Sequence, residues 1–325
     1  MAERFEYTHL IVEKKYPIGY ITINRPERRN TLIQTQGGTI EQLQQAFRDM
    51  RDDSKIRAFV IRGSGECFCA GFDQSRPAES SIYRKIENLP EEVAWVEDVK
   101  DEPWARWSRV RGELNNPEGV SIGYRDLFKE GLWDNPKPSI AQVHSFCLGA
   151  GLWLANQCDV VYCTPSAVFS YPPIRYGAAI VLGIVPPWIF GRHMTMEMGL
   201  TGKFIDAEAA LRCGAVNKIV PEDKIDEEVR LLALSMAKVP PITNMMTKRA
   251  VNNYFEGLGI EQAQRFSGSL VMMTENSSVP GHFFEFYGNI SKLGSREALR
   301  LQREKWGEPP GADPVREGEI ARLKA

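Results

Sequence analysis

The stretch PKPSIAQVHSFCLGAGLWLANQCDVVYC, residues 136–163, holds a strand, a helix and a second strand in one run. The apolar residues between Pro138 and Phe146 predict a strand. The small cluster Gly149-Ala150-Gly151 then opens a helical segment, with Trp153 in its first turn. CDVVYC (158–163) predicts the next strand. Glycines at a helix start leave the first main-chain N–H groups uncovered, so an anionic group can approach them. The bulky indole that follows is a hydrogen-bond donor and cannot shuttle a proton.

Outward from this stretch, strands and helices alternate. Residues 9–14 and 18–24 predict two strands joined by a Lys-Tyr-Pro turn, and IEQLQQAFRDMRDD (40–53) has the spacing of an amphipathic helix. IRAFVIRGSG (56–65) reads as a buried strand stopped by glycines, and AVFSY (167–171) as a short one. DAEAALRCG (206–214) predicts a short helix with Asp206 capping its start and Gly214 just past its end, and AVNKIVP (215–221) a further strand. Beyond residue 223 the pattern is helical. The division implied is an α/β core over 1–222 and a C-terminal helical region over 223–325. Residues 76–135 stand apart: they carry Trp95, Trp104, Trp107 and Trp133 with little periodicity. At that length they suggest a lid or a helical insertion.

With 43% hydrophobic and 25% charged residues, the composition is that of a globular chain. A net charge of −2, from 40 basic and 42 acidic side chains, gives no electrostatic footprint for nucleic acid or an anionic membrane. No uncharged apolar run reaches the roughly 18 residues of a membrane span. The charged start MAERFEYTHL has no apolar signal core, so a cytoplasmic location is expected. The six cysteines, Cys67, Cys69, Cys147, Cys158, Cys163 and Cys213, lack zinc-site spacing and read as reduced core thiols. No metal is expected.

Four segments taken in order resemble the crotonase (enoyl-CoA hydratase/isomerase) superfamily. They are ITINRPERRNTL (21–32), ECFCAGFD (66–73), the 136–163 stretch, and LTGKFIDAEAALRCGAVNKIVP (200–221). The resemblance implies a ββα-spiral core with a C-terminal helical region that packs subunits into a trimer or a dimer of trimers. It also implies an acyl-CoA thioester as partner, with coenzyme A entering as part of the substrate and no prosthetic group. In the second and third segments a strand ends in small residues. Two N–H donors presented there and aimed at one point would make an oxyanion hole. By resemblance these are the amides of Phe72 and Ala150, flanked by Ala70, Gly71 and Gly149. Asp73 follows the first donor, and Arg28 and Arg29 lie where the family's first turn passes the CoA nucleotide. The same glycines also suit tight strand–helix packing, Asp73 also suits a turn cap, and the two arginines also suit a solvated surface.

Hydratases of this family handle protons with two glutamates. Carried across by position, the first falls on Trp153 and the second on Pro173, within FSYPPIRYGAAI (169–180). Neither residue is a general acid or base. The indole is expected to wall an apolar acyl pocket, with Arg175 and Tyr176 nearby. Tyr171 is the first choice for proton transfer, with Arg175 as the positive charge its phenol would need near neutrality. His144 reads as a structural histidine within a strand, and Glu91, Glu92, Glu97 and Asp98 of the insertion are further candidates. Three functions remain open. One is hydration, dehydration or isomerisation of a bulky acyl-CoA, the next is thioester or C–C hydrolysis on the same fold, and the last is non-catalytic CoA-ester binding.

Overall fold

The computed structural model describes residues 7–33, 37–74, 129–176, 186–260 and 292–307, with separate positions between 262 and 290. Most of the 76–135 insertion, including Glu91, Glu92, Glu97 and Asp98, lies outside the described residues, as does most of GHFFEFYGN (281–289), an aromatic-rich stretch of the C-terminal region.

β1 (Leu10–Lys15) and β2 (Ile18–Ile23) pair as an antiparallel hairpin, and α1 (Thr39–Asp52) leads into β3 (Ala58–Gly63). β4 (Ser139–Val143), β5 (Phe146–Leu148), α2 (Ala150–Asn156), β6 (Val160–Cys163) and β7 (Val168–Ser170) follow. Then come α3 (Gly191–Thr201), β8 (Ile205–Asp206), α4 (Ala207–Cys213) and β9 (Lys218–Ile219). The six-stranded sheet has the order β1-β2-β3-β4-β6-β9 and is parallel beyond its first pair, while β5-β7-β8 form a smaller sheet. After β3 the chain reaches Cys69, which bridges Cys147 of β5; after β4 it forms β5 and α2; after β6 it forms β7 and leads on to α3. Each of these turns visits the large sheet and then the small one, and the second and third go on to a helix. This is the strand–strand–helix spiral expected from the sequence.

Period-two alternation decides which face each side chain covers. From β2 and β3, Ile21, Ile23, Phe59 and Ile61 join Leu43, Phe47 and Met50 of α1 in one core. Their neighbours Ile18, Tyr20, Ala58 and Val60 join Val229 and Ala233 of α5 (Ile225–Lys238) in a second core on the opposite face. Strands covered on both sides read as continuous apolar runs, which is how β2 and β3 appear. Full burial of side chains such as Phe47 and Leu43 contributes about 1.5–3 kcal/mol each.

The strand expected to run unbroken from 138 to 146 is two strands in two sheets. Ser145 adopts φ +49°, which turns the chain out of the large sheet. His144 therefore sits at this break and not within a strand. Its Nε2 lies 3.0 Å from the Gly65 carbonyl oxygen, and burial pushes its pKa below the ordinary histidine value.

The helices past residue 223 are not alike. α5 is packed on the sheet, whereas α6 (Pro241–Gly257) has no fully buried residue. Lys248 fastens α6 by donating to the Leu132 carbonyl and to Asp159 Oδ2 at 2.8 Å. Asp159 in turn accepts from the Ser139 main chain and hydroxyl. Trp133 Nε1 donates to Glu256 at 3.3 Å, tying the end of the insertion to α6. Among the described residues no helix is long and apolar enough to cross a membrane.

Candidate active site

Two strand ends meet below the opening of α2. Cys69 and Cys147 are bridged in parallel, with Cys69 N–H donating to Phe146 O and Leu148 N–H donating to Cys69 O. Beyond this pair both chains leave the strand conformation at a glycine. Gly71 has φ +100°, and Gly149 has φ +53° with ψ −115°, outside the left-handed region that asparagine shares, so both conformations favour glycine. The backbones stay close: a methyl group built on Gly71 would lie 3.0 Å from the Leu148 oxygen and 3.6 Å from the Ala150 nitrogen. Gly151 is tighter still, since a methyl there would stand 2.5 Å from the Cys69 oxygen. The glycines thus serve both turn geometry and close packing.

On the other side, the 69–73 strand is laced to the turn at 25–32. Ala70 N–H donates to Arg29 O, Leu32 N–H to Gly71 O, and Asp73 N–H to Leu32 O. In a parallel ladder the residue between two such bonds turns its own amide to the opposite side. The Phe72 N–H is accordingly directed away from Leu32, to the side on which residues 148–150 lie.

Three aromatic rings, one from each converging segment, pack together. Phe72 meets Trp153 edge-on with centroids 5.5 Å apart, and Trp153 stacks on Tyr171 at 6.0 Å. Trp153 and Tyr171 are 3% and 4% exposed, so their rings are covered, while Phe72 is half-buried. Gly149 N–H donates to Ser170 O and holds α2 beside the Tyr171 strand end. Pro173 lies half-buried in the following turn, Pro172–Tyr176, and the Tyr176 side chain lies outside the description. The Arg175 guanidinium donates to the carbonyls of Thr201 and Gly307, and its own carbonyl accepts from Gln302. These bonds attach α7 (Ser295–Trp306) to the end of α3.

Asp73 is tied to the turn at 25–32 by its side chain as well as its main chain. Its carboxylate pairs with Arg25 Nη2 at 2.7 Å, with both side chains nearly covered. Arg25 also donates to the carbonyl and hydroxyl of Thr31. Asn30, at φ +54°, accepts from Arg25 N–H and donates to the carbonyls of Ser64 and Cys67. Arg28 and Arg29 are exposed on the same turn, and Arg29 lies over the Phe146 ring at 5.4 Å.

This arrangement can be set beside known proteins. The sequence model of the enoyl-CoA hydratase/isomerase family matches residues 13–97 and 108–279. The chain belongs to this family. The mitochondrial enoyl-CoA hydratase of Pongo abelii is 28% identical over 257 residues, which is 78% of this chain and 75% of that one. An enoyl-CoA hydratase/isomerase from Xanthobacter autotrophicus Py2 superposes with a TM-score of 0.73 at 27% identity, covering 92% of this chain and 99% of that chain. An enoyl-CoA hydratase from Mycobacterium smegmatis superposes with a TM-score of 0.72 at 22% identity, covering 94% and 97%, a likeness of fold.

All four motifs named from the sequence fall within the residues matched to the enoyl-CoA hydratase/isomerase family. Reading the sequence passed over Arg25 and Asn30, which hold the first motif against the second. The available signal was the asparagine, one of the few non-glycine residues that tolerate a left-handed backbone. All six cysteines are free thiols. Burial pushes Cys69 and Cys163 up to about 12 and Cys147 well above its ordinary value, so these sulfurs stay protonated packing groups. Among the described residues no group of three or more His, Cys, Asp or Glu could hold a metal ion.

Proposed function

We propose that this chain is an acyl-CoA-processing enzyme whose Phe72 and Ala150 amides grip a thioester carbonyl oxygen. They would stabilise the enolate formed at the α-carbon, and the chemistry would be hydration, dehydration or isomerisation of a bulky acyl group at Cα–Cβ. The observation that carries the reading is the approach of the two strand ends, 3.6 Å from a methyl position on Gly71 to the Ala150 nitrogen. Loss of one such donor in a comparable site costs about 2.7–4 kcal/mol of barrier, so the pair would supply much of the rate. Ala70, Gly71 and Gly149 would shape the approach, and the exposed Arg28 and Arg29 would meet the CoA phosphates or adenine. Coenzyme A enters as part of the substrate.

Trp153 and Pro173 occupy the positions where the family's hydratases carry glutamates, and neither can hold a mobile proton. Tyr171 is the proposed proton carrier. The rings of Phe72, Trp153 and Tyr171 favour a broad apolar acyl chain over a short one. The same two replacements favour a second reading, hydrolysis of a thioester or C–C bond, in which the oxyanion matters more than paired carboxylates.

The assembly proposed is a homotrimer or a dimer of trimers. Supporting it, α6 exposes the large apolar residues Ile242, Met246 and Tyr254 at 57%, 52% and 65%. The free thiols suit a reducing compartment such as the cytoplasm.

A panel of enoyl-CoA thioesters tests the function. Reversible loss of the enoyl absorbance without thiol release supports the first reading, and release of free CoA supports hydrolysis. Tight CoA-ester binding with no turnover across the panel defeats both.

A further inference from the structure

We propose that Arg25 is a positioning residue that fixes the direction of the Phe72 amide; the inference rests on the oxyanion reading above. The peptide between Gly71 and Phe72 is hinged on one side by a glycine at φ +100°, a residue that offers little resistance to rotation. Its orientation is instead set through its own carbonyl, since Gly71 O accepts from Leu32 N–H at 2.8 Å, and Arg25 donates to the Thr31 carbonyl of the same peptide that carries that N–H. The residue that follows the donor is tied to the same turn. Asp73 is held twice by the 25–32 turn, through its main-chain N–H to Leu32 O at 2.9 Å and through its carboxylate to Arg25 at 2.7 Å. Arg25 is only 8% exposed, and its fork spans the Thr31 carbonyl, the Thr31 hydroxyl and Asp73. One guanidinium thus locks the turn and the residue after the donor into a single unit. Buried ion pairs add little net stability, because desolvation offsets attraction, so the role assigned to this one is geometric. Arginine suits the task because its planar donors are preset, whereas a lysine could reach only one partner well.

The test separates this role from general structural support. Two probes are used: CoA, which lacks the carbonyl, and acetoacetyl-CoA, whose acyl group ionises to an enolate with its own ultraviolet absorbance. The wild-type protein is expected to lower the ionisation pH of bound acetoacetyl-CoA relative to the free thioester. In Arg25→Met and Asp73→Asn the enolate should be stabilised about tenfold less, one pH unit of that shift, while CoA affinity stays within about twofold. Arg25→Lys should fall between them and the wild type. If Arg25→Met does not fold by circular dichroism, the nearly isosteric Asp73→Asn carries the measurement. Variants that ionise acetoacetyl-CoA as the wild type does, or that lose CoA and enolate affinity in parallel, overturn the proposal. A wild type with no ionisation shift overturns the oxyanion reading itself.

Discussion

Trp153 and Tyr171 lie stacked, with ring centroids 6.0 Å apart and planes inclined by 27°. The indole comes from the first turn of α2 and the phenol from the end of β7, so the contact joins two segments of the strand–strand–helix spiral. It also separates two properties of Tyr171, a ring that packs and a hydroxyl that could carry a proton.

Tyr171→Phe keeps the ring and removes the hydroxyl. Stability in a urea melt should change by about 1 kcal/mol. Turnover on the best thioester should fall about 100-fold or more, as general acid–base groups contribute. Turnover unchanged in Tyr171→Phe would move the proton role elsewhere. Trp153→Ala is expected to lower stability by about 3–5 kcal/mol through the cavity it leaves.

Gly151→Ala places a methyl 2.5 Å from the Cys69 oxygen, a main-chain atom held in a ladder that cannot yield cheaply. Overpacking of this kind costs about 1–3 kcal/mol. Because the strain falls between the two strand ends, activity should drop further than the shift in unfolding midpoint accounts for. A variant with lowered stability and full kcat would show that donor spacing is not critical.

Cysteine labelling offers a direct check on the core. At pH 8 a small alkylating reagent should modify half-buried Cys213 in the native protein and leave Cys69, Cys147, Cys158 and Cys163 intact until denaturant is added. The raised pKa values of these four give the direction, since thiolate is the reactive form. Rapid native modification of Cys69 or Cys147 would contradict the packing below α2.

His144 sets a pH dependence. Its folded-state pKa is lowered by burial, so below about pH 6.5 the unfolded chain takes up the proton first. The stability it permits is complete above that pH and is lost as pH falls. His144→Gln should therefore flatten the difference in urea midpoint between pH 8 and pH 5.5. His9 is shifted in the same direction and remains in both proteins, so the contrast isolates His144.

Much of this fold was legible where local physics decides. Asp206 caps α4 by accepting from Ala209 N–H at 2.7 Å, and Gly214 ends it in the left-handed region, as the spacing implies. The strands β2 and β3 announced themselves because both faces are covered. The break at Ser145 was hidden, since a left-handed serine carries no compositional mark and the sheet switch shows only in three dimensions. Arg25 was passed over, and Asp73 read without it, for a similar reason. They are 48 positions distant, and nothing near either one signals a charged partner. The bonds that tie Arg175 to the C-terminal helix were hidden in the same way, since Gln302 and Gly307 arrive more than a hundred residues later.

The lacing of Ala70, Leu32 and Asp73 to the neighbouring turn runs through main-chain hydrogen bonds reinforced by the Arg25–Asp73 pair, while the aromatic cluster beside it is made of other side chains. The two layers can therefore drift independently. Exchanging the indole for a smaller group would reshape the cluster at a cost in stability while leaving the hydrogen-bonded frame in place, so variety of side chain and constancy of skeleton cease to be competing demands.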